Sequence, residues 1–182
     1  MENAHTVLIP SSVAALNVDS YNRSFKSATL DFDNGTVFSK GALSTDAAES
    51  QVFMAELPKA NESGLYMAFT AEDTIVTIGG NQYKFGLNDP RLFTNIKGYV
   101  FSGFRLNAGD IVEISTDGVT GETADFVIAD PTTGKLKFAS AQGTGLAFKV
   151  ISKSNIHAAG AGNGAIGGTQ RLASYKLEVI AN

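Results

Sequence analysis

The chain has no cysteine and no tryptophan, and only two histidines and four prolines among its 182 residues. Without cysteine there is no disulfide framework, no thiolate zinc site and no cysteine nucleophile. With histidine confined to His5 and His157, a histidine metal cage or acid/base pair is hard to assemble, and the sequence implies no metal and no cofactor. Basic residues are also short. Against 18 Asp and Glu stand 14 Lys and Arg, a net charge of -4, so no excess is available to neutralise phosphates and nucleic acid is not an expected partner. Long apolar runs are missing too: Val7-Leu8-Ile9 ends at Pro10, far short of a membrane span. Met1-Glu2-Asn3-Ala4-His5 carries no basic n-region. The expectation is a product made in a host cytoplasm, without a membrane partner, where a cysteine-free chain suits reducing conditions. The sequons at Asn22, Asn34 and Asn61 then read as chance.

What is present is a β inventory. Apolar residues make up 43% of the chain, with 19 Gly, 12 Phe and five Tyr, enough for a core that needs no cross-links. From Gly35 onward, short Phe/Val/Ile/Thr runs are punctuated by Gly, Asn, Asp or Pro clusters, the pattern of an all-β domain. The clearest hairpin is Thr74–Ile78, Gly79-Gly80, Asn81–Phe85, where two glycines supply the positive φ of a primed turn. A second joins Asp125–Ala129 through Asp130-Pro131-Thr132-Thr133-Gly134 to Lys135–Phe138, with Leu136 and Phe138 inward and the lysines outward. Further strands are expected at Ser50–Glu56, Leu65–Thr70, Tyr99–Arg105, Asp110–Ser115, Leu146–Ile151 and Arg171–Ile180. In the last, Ala173, Tyr175, Leu177 and Val179 form one face and Ser174, Lys176 and Glu178 the other. Helical turns are expected at Pro90–Phe93 behind Asp89, and within Thr45–Glu49.

The predicted fold is therefore all-β: a single-domain β-sandwich or barrel of about eight to ten short antiparallel strands. Two segments fall outside that pattern. Residues 1–33 scatter their apolar side chains without hairpin turns and read as an extended N-terminal arm on a β-rich domain at residues 34–182. Lys153–Thr169 reads as a Gly-rich late loop, long enough to be functional or ordered by a partner.

Three motifs suggest chemistry. Gly162-Asn163-Gly164-Ala165-Ile166-Gly167 matches the dinucleotide fingerprint by letter, but no strand leads directly into it and no helix pattern follows, so a surface loop is favoured. Asp31-Phe32-Asp33-Asn34-Gly35 spaces oxygens as calcium loops do, yet it lacks the distant bidentate Glu and suits a turn whose side chains cap the backbone. Glu72-Asp73 would point to opposite faces of a strand and reads as solvated turn charge. No G-x-S-x-G occurs, and no residue set selects a catalytic role, so an enzyme is not expected.

The overall run of the chain resembles the head decoration, or cement, proteins of tailed bacteriophages. The resemblance lies in Glu2–Ser12, Asp19–Phe25, Ala108-Gly109-Asp110-Ile111-Val112 and Ser174–Asn182. It implies a non-enzymatic structural protein on the capsid exterior of a virion, bound where subunits of the major capsid protein meet, with its own copies as a further partner in homo-oligomers on that lattice. The residues expected to reach the partner are Val7, Leu8, Ile9, Tyr21 and Phe25 of the arm and Ile156 and Ile166 of the late loop. Another virion component (tail, neck or head fibre) shares this composition. A carbohydrate-binding β-sandwich is a third reading, resting on exposed tyrosines in the absence of tryptophan.

Overall fold

A computed structural model describes residues 5–71, 73–78, 81–86, 90–159 and 169–182. The chain is all-β. Fourteen strands occur among the described residues: β1 (Leu8–Ser12), β2 (Asn22–Lys26), β3 (Val37–Leu43), β4 (Val52–Glu56), β5 (Tyr66–Ala68), β6 (Asp73–Ile78), β7 (Asn81–Gly86), β8 (Val100–Arg105), β9 (Ile111–Ser115), β10 (Val119–Thr120), β11 (Phe126–Ala129), β12 (Leu136–Ala139), β13 (Ala147–Ala159) and β14 (Thr169–Ala181). Both parts of the expected "sandwich or barrel" are present. Strands β2-β4-β3-β5-β8 close into a barrel, β1-β9-β14-β13-β11-β12-β10 form a seven-stranded sheet, and β6-β7 stand as a hairpin. Fourteen strands exceed the predicted number because several are too short to show a period. The pairing is also not wholly antiparallel, since β2–β4 and β10–β12 run parallel.

The barrel is filled by aromatic rings. Phe25 lies edge-on to Phe38 at 4.7 Å and to Tyr66 at 5.0 Å, while Phe32 stacks on Phe38 at 5.7 Å and Phe101 meets Phe38 at 5.5 Å. Offset and edge-to-face arrangements of this kind are favoured by the ring quadrupoles. The rings need one wall without a side chain. A Cβ built on Gly103 of β8 would lie 2.8 Å from Phe38 Cζ and 3.1 Å from Phe25 Cδ2, so glycine is what allows the rings to reach the backbone.

The second core lies between barrel and sheet. Val37, Met67 and Phe104 project from the barrel strands into the cluster that contains Val112, Ile114, Val127, Leu136, Phe148, Leu177 and Val179 of the sheet. Their neighbours Phe38, Tyr66, Ala68 and Phe101 point into the barrel. Period-two alternation thus delivers alternate residues to two different cores. This explains why Leu65-Tyr66-Met67-Ala68 is apolar at every position and buried throughout.

Of the segment read as an arm, residues 1–33, the described part from residue 5 onward is integrated into both layers, which corrects the expected boundary. β1 pairs with β9, Leu8 opposite Ile114, and Ser115 donates its N–H to the Val7 carbonyl at 2.9 Å while its Oγ accepts from the Val7 N–H at 3.0 Å. β2 is a barrel strand between β4 and β8. The hairpin turn signals are missing because the partners are remote in sequence, not because the segment is free. Pro10 marks β1 as an edge strand, where a residue without an N–H is tolerated.

Local expectations fare differently. β6 and β7 pair from Ile78↔Asn81 to Asp73↔Gly86 as expected, and the Gly79-Gly80 turn between them lies outside the described residues. The β11–β12 hairpin is also as read. Asp130 Oδ1 accepts from the Thr132 N–H at 2.8 Å, and Gly134 sits at φ +71°. Its carbonyl accepts from the Val37 N–H at 2.8 Å, docking the turn onto the barrel. Leu136 and Phe138 are buried and Lys137 is exposed. The 3-10 turns Ala47–Glu49 and Pro90–Leu92 lie where helical turns were expected, the first capped by Asp46, whose Oδ1 accepts from the Ala48 N–H at 2.9 Å.

Late-loop residues Lys153–Ala159 and Thr169 are instead strand, because β13 and β14 pair through Ala159↔Thr169. Burial follows the predicted faces of β14 at Leu177 and Val179 but reverses further out. There Ser174 is buried, donating to Glu113 Oε1 at 2.6 Å, and Ala173 is exposed. At the C-terminus, the Asn182 amide accepts from the Leu65 N–H at 3.0 Å and donates to the carbonyls of Leu65 and Leu106 at 3.1 and 2.7 Å.

Candidate interaction surfaces

The seven residues expected to reach a partner do not form one surface. Val7 and Leu8 are buried, and Phe25 is at the centre of the barrel's ring cluster. Tyr21 is half-buried against the sheet core, and Ile156, opposite Leu172 on β14, is only 3% exposed. For Val7, Leu8, Phe25 and Ile156 this burial is a packing role, which corrects their assignment as contacts. Ile9 alone is exposed, on the outer face of edge strand β1. Ile166, the whole Gly162–Gly167 motif and Glu72 lie outside the described residues.

An exposed apolar surface occurs where no contact was predicted. At one end of the barrel the segments 27–32 and 95–100 run side by side. Phe32 and Asn95 exchange backbone hydrogen bonds at 2.9 Å, Gly98 donates to the Ser27 carbonyl at 2.7 Å, and the Lys97 N–H donates to Asp31 Oδ1 at 2.8 Å. These bonds present Leu30 (40% exposed), Ile96 (56%), Tyr99 (72%) and Val100 (48%) to solvent. Beside them, Ser27–Leu30, Phe32 and Met54–Leu57 line a cleft of about 380 Å³. Four large apolar side chains thus stay exposed on one backbone-bonded scaffold. Sequence reading missed it because Tyr99 and Val100 open a strand whose next residue, Phe101, is core.

A second groove, of about 560 Å³, crosses the barrel wall between Asn22–Ser24, Leu43, Ser50-Gln51, Phe53 and Ser102. Near it, Lys26 Nζ donates to Glu49 Oε1 at 2.8 Å and Ser44 Oγ to Glu49 Oε2 at 2.8 Å. The Lys26 hydrogen bond, reinforced by that of Ser44, holds the Glu49 carboxyl below its usual range, and the bond to Glu49 raises the Lys26 ammonium.

The acidic turn is a structural tie. Asp33 Oδ1 lies 2.7 Å from His5 Nδ1, its Oδ2 lies 3.7 Å from Lys135 Nζ, and Asp31 is used by Lys97. The Asn34 amide bridges the backbone of Thr70 at 2.9 and 3.0 Å and is buried, unlike a glycosylation acceptor. The turn itself is as read, with Thr36 donating its N–H to the Asp33 carbonyl at 3.0 Å, but its side chains tie remote segments together instead of capping the turn's own backbone.

Among the described residues no three or more His, Asp or Glu gather as a metal site, and no helix is long and apolar enough to cross a membrane. The chain matches no protein-family model, no curated protein and no solved structure.

Proposed function

We propose that this chain is a non-enzymatic structural protein of a virion that decorates and stabilises the capsid by binding where major capsid subunits meet. The observation that carries the proposal is the Leu30/Ile96/Tyr99/Val100 surface, held rigid by backbone bonds to a closed barrel. A preformed apolar surface loses little entropy on docking, and many modest contacts across a repeating lattice add through avidity. The whole-chain resemblance to cement proteins supplies the lattice. Incubation of the intact protein with heads that lack it, followed by sedimentation, tests the reading. Co-sedimentation at saturating, lattice-wide copy number is the expected result. A protein that stays in the supernatant overturns the capsid role, and a few copies confined to the tail, neck or fibres would place it elsewhere on the virion.

A carbohydrate-binding reading is favoured by one observation, the exposed Tyr99 ring beside a cleft. Glycan binding that Tyr99→Ala abolishes would support it, and a silent glycan array would remove it.

A further inference from the structure

The β13–β14 ribbon differs in charge and in edge pairing from the rest of the molecule. Each strand is 13 residues long, roughly 40 Å of extended chain. β11 covers β13 only as far as Lys149, with one further bond from the Val150 N–H to the Asp125 carbonyl. β9 covers β14 only as far as Ser174. Beyond these points the outer edges of both strands have no backbone partner among the described residues. On β13, Ile151, Ser152, Lys153 and Asn155 are all exposed. Every second N–H and C=O along such an edge points outward with no strand to receive it.

The charge of this hairpin opposes that of the chain. From Ala147 to Ala181 the sequence carries Lys149, Lys153, Arg171 and Lys176 against Glu178 alone, a net +3. The whole chain is -4, so the remainder carries -7. None of the four cations is in an ion pair among the described residues.

A bulge decides where the lysines point. The register passes from Val150↔Leu177 to Ser152↔Lys176, so Lys149 lies opposite Glu178 and Lys153 opposite Tyr175. Four residues of β13 therefore cover three register steps, and the two ammonium groups fall on opposite faces of the ribbon. Lysines on an open edge discourage pairing with a second copy of the same edge. They favour a strand of opposite charge.

We propose that the free edge of β13, from Ile151 to Ile156, takes an extended acidic segment of another protein as an added strand, whose carboxylates meet Lys153 beside the free edge and Lys149 at the point where β11 stops, on the two faces of the ribbon. Backbone hydrogen bonds would supply affinity and the paired charges would select the partner. The edge chemistry stands on its own. Only the source of the segment, a capsid subunit, rests on the function proposed above.

The test uses the full chain and three probes: a ten-residue Val/Thr peptide with Glu at i and i+3, its Lys counterpart, and a single-stranded thymidine oligonucleotide. The Glu peptide should bind, weaken with added salt, and slow amide exchange at residues 151–156. K149Q/K153Q should bind it several-fold more weakly at unchanged melting temperature, and K149E/K153E about tenfold more weakly with a small loss of melting temperature from the like charge placed opposite Glu178. No binding of the Glu peptide, equal binding of the Lys peptide, or tighter binding of the oligonucleotide would each overturn the proposal. Heads that fail to bind an intact protein still able to bind the Glu peptide would refute the capsid reading and leave the ribbon site standing.

Discussion

The barrel and the seven-stranded sheet solve the same problem in opposite ways. The barrel closes on itself through β2–β8 and packs rings around Phe38, so it has no free edge. The sheet buries mostly Val, Leu and Ile, with Phe138 and Phe148 among them, and remains open. Its edge strands are blunted by Pro10 in β1 and by the two-residue length of β10, and its longest strands run on past their neighbours. Closure gives rigidity, and open edges and presented loops give places to bind. The two halves share the core made by Val37, Met67 and Phe104, so they should unfold as one unit.

The largest expected effect tests that shared core. Phe38→Ala should cost about 3–5 kcal/mol and Leu177→Ala about 2–5 kcal/mol. Each variant should shift the denaturant midpoint of amide exchange in β5 and in β14 equally. Separate transitions would break the comparison by showing two independent units. Gly103→Ala should cost about 1–3 kcal/mol, because the new methyl must displace rings that are already in contact. An unchanged melting temperature would show that Phe38 can yield.

Smaller effects sharpen the picture at the seams. Asn182→Ala removes an amide that holds the ends of β5 and β8 together. It should cost about 1 kcal/mol for each hydrogen bond lost, read from chemical denaturation. Glu49→Gln should have the smallest effect, visible as pH dependence. Glu49 is lowered on folding, so its contribution is present above its unfolded value and is lost as pH falls through the folded one. Lys26 is raised, so its share is present below its unfolded value and lost as pH rises through the folded one. The stability difference between wild type and variant should peak between those ranges and vanish at both ends. A flat profile would show the pair to be energetically idle.

Legibility followed sequence distance. The hairpins at Ile78/Asn81 and Ala129/Leu136 and the short helical turn at Ala47–Glu49 are local, so turn chemistry reveals them. The pairings of β1 with β9 and β2 with β8 are remote, and no turn announces them. Residues 1–33 therefore looked free although Phe25 is central. The contact residues were misread for a related reason. In a molecule with two cores, an apolar residue such as Val7 or Ile156 is as easily packing as contact, and exposure at Tyr99 depends on loops brought together from distant positions. The ribbon's edge was invisible because it depends on where β11 and β9 stop, and its charge asymmetry appears only once β13 and β14 are known to pair.

The most direct test of the central claim is co-sedimentation with heads lacking this protein, comparing wild type with Ile96→Ser/Tyr99→Ser. Both positions are exposed, so the variant should melt like the wild type. Wild type should pellet with heads, and the variant should need about tenfold or more higher concentration to do so. Wild type left in the supernatant, or a variant that pellets equally well, would contradict the account.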